Sequence, residues 1–98
     1  MDDFGFAPPP FKAEEALVGL KRSLRELGLS EREGRFERRG VSLVRAAVDG
    51  DAIDAALVKK PSCNSPEWVP RRLRSGADVR DFVAAVKKAL AQWSDRDD

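Results

Sequence analysis

Two apolar runs flanking Asp49-Gly50-Asp51 constrain this chain more than any other feature. Asp-Gly between alternating apolar residues is a strong signal for a β-hairpin, because glycine supplies the positive φ that a tight turn demands. The predicted strands are Val41–Val48 and Ala52–Lys59. A two-residue loop at Asp49-Gly50 or at Gly50-Asp51 gives the same faces: Val44, Ala46 and Val48 line up with Ile53, Ala55 and Leu57. That face is wholly apolar and is the predicted core. The other face carries Arg45 and Asp54, an expected cross-strand pair. It also carries Val41, Leu43, Ala47, Ala52, Ala56 and Val58. A second face this apolar is expected to be covered by the N-terminal tail or to serve as a contact surface.

A lone hairpin is marginal in water, and the sequence supplies a helix on each side of it. Leu17, Leu20, Leu24 and Leu27 form one stripe over Ala13 to Leu27. Glu14 and Glu15 open that helix and Arg22 and Arg25 lie late in it, which complements the helix dipole. Gly28 ends it, with Leu29 folding back onto Leu24 in a Schellman stop. Residues 30–34 read as a polar connection, Arg35 to Arg39 as a short strand around Phe36, and Arg39-Gly40 as a turn. After a loop from Pro61 to Pro66, Glu67 to Leu73 is a candidate fourth strand that Pro70 confines to a sheet edge. Ser75 and Asp78 resemble a capping box. The helix that follows, to about Trp93, carries the stripe Val79, Phe82, Val83, Val86, Leu90 and Trp93.

The expected fold class is α+β in the order α-β-β-β-(β)-α: an antiparallel sheet of three to four strands with two helices packed on one face. Residues 13–93 form the single domain, between a Pro- and Phe-containing tail, 1–12, and a charged tail, 94–98. Pro8-Pro9-Pro10 favours polyproline II. Phe4, Phe6 and Phe11 make it a tail expected to fold back onto its own domain, the alternative being a proline-rich ligand for another protein.

Of the 98 residues 42% are apolar, enough for a packed core, and the formal net charge is only +1. The acids Asp2, Asp3, Asp95, Asp97 and Asp98 lie in the tails, so residues 4–94 hold 17 basic and 12 acidic groups. Cys63 has no partner for an internal disulfide, which fits a reducing compartment. The start Met1-Asp2-Asp3 is no secretion signal, and no apolar run approaches bilayer length. A soluble cytoplasmic protein with no membrane partner is expected.

The chain has no histidine, no tyrosine and one cysteine. That removes the usual general base, the commonest metal ligand and the Cys/His and Ser/His/Asp nucleophile arrangements. Asp49, Asp51 and Asp54 alternate as calcium ligands can, but without the spacing or the closing Glu of an EF-hand, so they are read as turn residues. Cys63 lies near Lys59 and Lys60 but has no neighbouring base. The seven glycines are scattered singly and make no phosphate loop. Glu14, Glu15, Glu26, Glu31, Glu33, Glu37 and Glu67 sit on helix surfaces or in loops. No enzymatic activity, cofactor or metal is expected.

The best candidate for function is the basic segment 59–80, with Lys59, Lys60, Trp68, Arg71, Arg72, Arg74 and Arg80 as binding residues. Trp and Arg are enriched in interface hot spots, so the expectation is a non-enzymatic protein-interaction module with an acidic protein partner. Basic groups around an aromatic also suit phosphate contact and base stacking, which makes nucleic acid the alternative. A homodimer is a variant, prompted by the apolar second face of the hairpin. The order of helix, three strands and helix resembles the double-stranded-RNA-binding domain. That resemblance implies a basic cluster gripping phosphates at the second helix. Here Arg71-Arg72-Leu73-Arg74 precedes that helix instead, and Arg38-Arg39-Gly40 stands where the family's first strand loop carries Gly-Pro and His. The resemblance is one of topology and carries no binding residue over.

Overall fold

The computed structural model describes residues 11–61 and 67–96. Its frame is α1 (Ala13–Glu26), then strands β1 (Ser30–Arg32), β2 (Arg35–Arg38), β3 (Val41–Asp49), β4 (Ala52–Val58) and β5 (Trp68–Leu73), then α2 (Gly76–Arg96). The strands form one antiparallel sheet in the order β1-β2-β3-β4-β5. The α+β class and the order of elements are as expected, with five strands instead of three or four. The additional one is β1, in residues expected to be a polar connection. It has no apolar side chain to announce it, and it forms because Glu33-Gly34 makes a two-residue turn with φ of 53° and 79°. Arg39-Gly40 repeats that geometry at 56° and 79°. Positive φ at both central residues is the hairpin turn that matches strand twist. β5 is the edge strand that Pro70 implied. α2 runs on to Arg96, beyond the expected end near Trp93.

The central register is as read from the sequence: Val44 opposes Leu57, Ala46 opposes Ala55 and Val48 opposes Ile53. Residues opposed in antiparallel strands share a face. Phe36 joins this face through Val44, and Leu73 through Ile53. Leu20 and Leu24 of α1 and Phe82, Val86, Leu90 and Trp93 of α2 complete one buried cluster with it.

Leu43 departs from expectation. The β2–β3 pairing shifts between Phe36, opposite Val44, and Glu37, opposite Ser42. Leu43 is therefore the extra residue of a β-bulge, which re-aims the side chains beside it. Leu43 and Val44, though consecutive, are both buried in the core cluster. Val41 packs against the same cluster. The second face of the hairpin is thus less apolar than strict alternation implied.

The C-terminus of α1 and the N-terminus of α2 close as the local sequence dictates. Leu29 N–H donates to Leu24 O at 3.2 Å and Gly28 N–H to Arg25 O at 2.9 Å, with Gly28 at φ 93°, a Schellman stop. At α2, Asp78 N–H donates to Ser75 Oγ at 3.1 Å. The Asp78 carboxylate accepts from Arg74 N–H at 3.0 Å, one residue before the usual capping-box donor. α1 is tied to the sheet edge by Glu31, which opposes Phe36 and so faces the helices. Its carboxylate oxygens lie 2.8 Å from Lys21 Nζ and 2.7 Å from Arg25 Nη2. The hydrogen bond from Lys21, then that from Arg25, holds the Glu31 carboxyl below its ordinary value.

The expectations for Phe4, Phe6, Pro8-Pro9-Pro10 and Cys63 concern residues outside those described.

Two predictions follow from this packing. Leu43→Ala should lower the unfolding free energy by about 2–5 kcal/mol, as truncation in a core does. Val18→Ala, at a helix position 59% exposed, should change it by less than about 0.5 kcal/mol. Equal effects in urea denaturation would put Leu43 back on the solvent face. Because the Glu31 carboxyl is depressed in the folded state, its contribution is complete above its ordinary 4.5 and is lost as pH falls through the lower folded value. The stability difference between wild type and Glu31→Gln should therefore shrink steadily on acidification below pH 4.5. A difference that is flat with pH would remove this bridge as a contributor.

Candidate interaction surface

The basic segment picked out in the sequence is divided: Arg71, Arg72 and Arg74 line two cavities that share Arg72, while Lys59 and Lys60 lie at the β4–β5 connection and Arg80 between the helices. Arg71 and Arg72 are neighbours on a strand, so they point to opposite faces. Arg71 opposes Ala55 on the helix side and, together with Arg72, lines a small cavity with Asp78, Asp81 and Phe82. Arg72 opposes Asp54 on the other face. Its Nη1 donates to Asp49 Oδ2 at 2.9 Å, which ties the β5 edge to the hairpin tip. That hydrogen bond keeps the Arg72 guanidinium above its already high ordinary value. Arg74 sits with Phe11, Asp51 and Arg72 around a cavity of about 380 Å³. Lys59 lies 3.9 Å from Glu67 across the β4–β5 connection, and Lys60 is exposed beside it. Arg80 stands in a groove of about 510 Å³ between the helices, with Ala16, Gly19, Ser23, Val79 and Val83. Of the predicted set, only Trp68 and Arg72 share the sheet face turned away from the helix-side core.

That face carries a feature the sequence reading did not pick out. Arg32 opposes Arg35, and Arg35 opposes Arg45. The row continues to Ala56 and Pro70. Three arginines therefore stand side by side across β1, β2 and β3, all exposed. Like charges directly opposite one another on a sheet are destabilising.

Arg45 does not pair with Asp54 as expected. It opposes Ala56, while Asp54 opposes Ala47, and its guanidinium lies 5.1 Å from the centroid of the Trp68 ring. Trp68 opposes Val58, on the far side of β4. To meet, the two side chains must reach across β4 above Ala56 and Val58, which are only 1% and 2% exposed. The cation–π contact thus acts as a roof over apolar residues that would otherwise face water. Beside the row, Arg35 and Arg45 share a cavity of about 210 Å³ with Glu33, Ala47 and Asp54. The surface is a positive stripe with carboxylates at its margin and a half-buried indole at one end.

The signal for this row was present in Glu33-Gly34. Taken as a two-residue hairpin turn, it sets Arg32 opposite Arg35. Among the described residues no group of three or more His, Cys, Asp or Glu could hold a metal ion, and no helix is long and apolar enough to cross a membrane. Comparison with protein families, with curated proteins and with solved structures returns no match.

The row makes a test of its own. Arg35→Gln should stabilise the fold by about 0.2–1 kcal/mol at low salt, because it relieves repulsion on both sides. The gain should shrink as salt screens the guanidinium charges. Urea midpoints in 20 mM and 500 mM salt measure this (about a fivefold change in screening length). A loss of stability on substitution would show that Arg35 is held by favourable contacts.

Proposed function

We propose that this domain is a non-enzymatic protein-interaction module that receives an acidic segment of a partner on its open sheet face. The observation that carries this reading is the row Arg32, Arg35 and Arg45, exposed and directly opposed, with Arg45 stacked on Trp68. A fold that keeps a repulsive arrangement on its surface gains from an anion that neutralises it. Arginine offers a planar fork for carboxylates, and the Arg45–Trp68 roof offers a rigid flat platform of the kind found in hot spots.

The margin of the row favours protein over nucleic acid. Glu33, Asp49 and Asp54 lie near the arginines, and a phosphate backbone running past them would meet like charge. A protein can place its carboxylates on the row and spare the margin. The homodimer variant has less apolar surface to draw on, since Leu43 is in the core and Ala56 and Val58 are roofed. The lone cysteine supports a reducing, cytoplasmic setting for the module.

The test is an amide and arginine side-chain chemical-shift titration with hexaglutamate, and with short duplex RNA, duplex DNA and single strands. Hexaglutamate should shift the Nε–Hε signals of Arg32, Arg35 and Arg45 and the Trp68 indole, with a modest salt dependence. Shifts confined to Arg71–Arg80 on adding nucleic acid, with a steep loss in salt, would replace this reading by the nucleic-acid one.

A further inference from the structure

We propose that the groove between α1 and α2 binds a free medium-chain carboxylic acid, with the acyl chain laid over Leu20 and the carboxylate taken by Arg80. Every residue that lines this groove belongs to α1 or α2, so the site is on the helix side of the sheet and is independent of the arginine row. Its volume of about 510 Å³ falls in the range of small-molecule sites, which are mostly apolar with a few polar groups that fix orientation. Leu20, with no exposed surface, closes the floor, and Val79 and Val83 line the α2 wall. From Gly76 to Ala84 the groove follows α2 for eight residue steps, about 12 Å of helix. That length suits an extended chain of medium length.

Two observations point to an occupant of this kind. The first is Gly19, at the centre of α1. Glycine inside a helix lowers its stability relative to alanine, and the usual reasons for keeping one are a positive φ or a close approach. Neither holds for Gly19: its backbone is not left-handed, and a Cβ built on it would meet no atom within 4 Å. The fold does not require glycine here, but an open groove does, because a side chain at 19 would project into it. The second observation is Arg80, the only charged side chain that lines the groove. No carboxylate among the described residues pairs with it. One guanidinium balances one negative charge, which a carboxylate supplies and a phosphate monoester exceeds. Its planar fork can take both carboxylate oxygens. A second copy of the chain is the poorer occupant. The large apolar side chains exposed among the described residues are Val18 and Val69, one on α1 and one on β5, and single exposed side chains make no ridge to fill a groove.

The experiment is an amide and arginine side-chain chemical-shift titration of the full chain, 15N-labelled, with decanoate below its micelle concentration and with decyltrimethylammonium as the cationic counterpart. Decanoate should saturably shift the amides of Gly19, Val79 and Val83 and the Nε–Hε signal of Arg80. The ammonium should bind about tenfold more weakly, because Arg80 repels its head group. Arg80→Gln should weaken decanoate binding about fivefold, the upper end for a solvent-exposed charge pair, and should not weaken the ammonium. Gly19→Leu should abolish decanoate binding while the urea midpoint holds or rises, since leucine is the better helix former. Gly19→Ala, a smaller change that serves where the leucine variant fails to fold, should raise the midpoint and weaken decanoate. Equal binding of decanoate and the ammonium overturns the proposal, because the head group is then not read. Four other results also overturn it: no shift with decanoate, shifts confined to Arg32, Arg35 and Arg45, a Gly19→Ala variant less stable than wild type, or groove signals that move with protein concentration alone, which signals a second copy. Binding to phosphatidylglycerol vesicles with none to free decanoate replaces the free acid by a membrane surface.

Discussion

The structure depends on the register of the β3–β4 pair. With Val44, Ala46 and Val48 set against Leu57, Ala55 and Ile53, one face of the hairpin is apolar and can take both helices. A slip of one residue would turn Arg45 and Asp54 into the core and expose Ile53 and Val44, each fully buried now. Burying an unpaired guanidinium and carboxylate costs several kcal/mol each, so the alternative register is excluded by energy as well as by the Gly50-Asp51 turn. Everything on the open face inherits its position from this choice. Arg45 falls opposite Ala56, Asp54 falls between Ala47 and Arg72, and β5 adds Trp68 where a long side chain from β3 can reach it.

The arginines of that face do different work. Arg72 is held at the hairpin tip by Asp49 and closes the β5 edge. Arg45 stands opposite Ala56 and its guanidinium lies over the Trp68 ring. A cation–π contact at an exposed site contributes about 0.5–1 kcal/mol, similar in size to the repulsion between opposed like charges. The stack thus offsets the penalty at Arg45. Among the described residues no such contact serves Arg32 and Arg35, which retain charge to offer. The row is accordingly anchored at its Trp68 end and open at its β1 end.

Local chemistry was legible and register shifts were not. Gly28 with Leu29, Ser75 with Asp78, and Asp49-Gly50-Asp51 each encode a structure within a few residues, and each formed. Ser30–Arg32 escaped because strand recognition leans on apolar alternation and β1 has none; its pairing with β2 is imposed by the Glu33-Gly34 turn. Leu43 was misplaced because the bulge is a mismatch between β2 and β3, which alternation within either strand cannot reveal. The basic segment is divided between surfaces for a geometric reason. Contiguity in sequence becomes contiguity in space on a loop, but on a strand it divides residues between faces, and Arg71 and Arg72 lie on a strand. The row that did assemble draws its members from three strands, so it becomes visible only once the turns are converted into register.

The edges of the sheet decide how such a surface can recognise anything. An exposed strand edge invites pairing with another chain. Here β5 carries Pro70, which lacks the N–H that a ladder requires. At the other edge β1 is only three residues long and entirely polar, with Glu31 committed to α1. Both edges are therefore blunted, and strand addition is disfavoured as a binding mode. Recognition on this side falls to side chains that project from the face. A segment laid over that face is selected by charge and by fit to the Arg45–Trp68 platform, and its own backbone need not be extended into a ladder. That freedom suits a partner with carboxylates at irregular spacing.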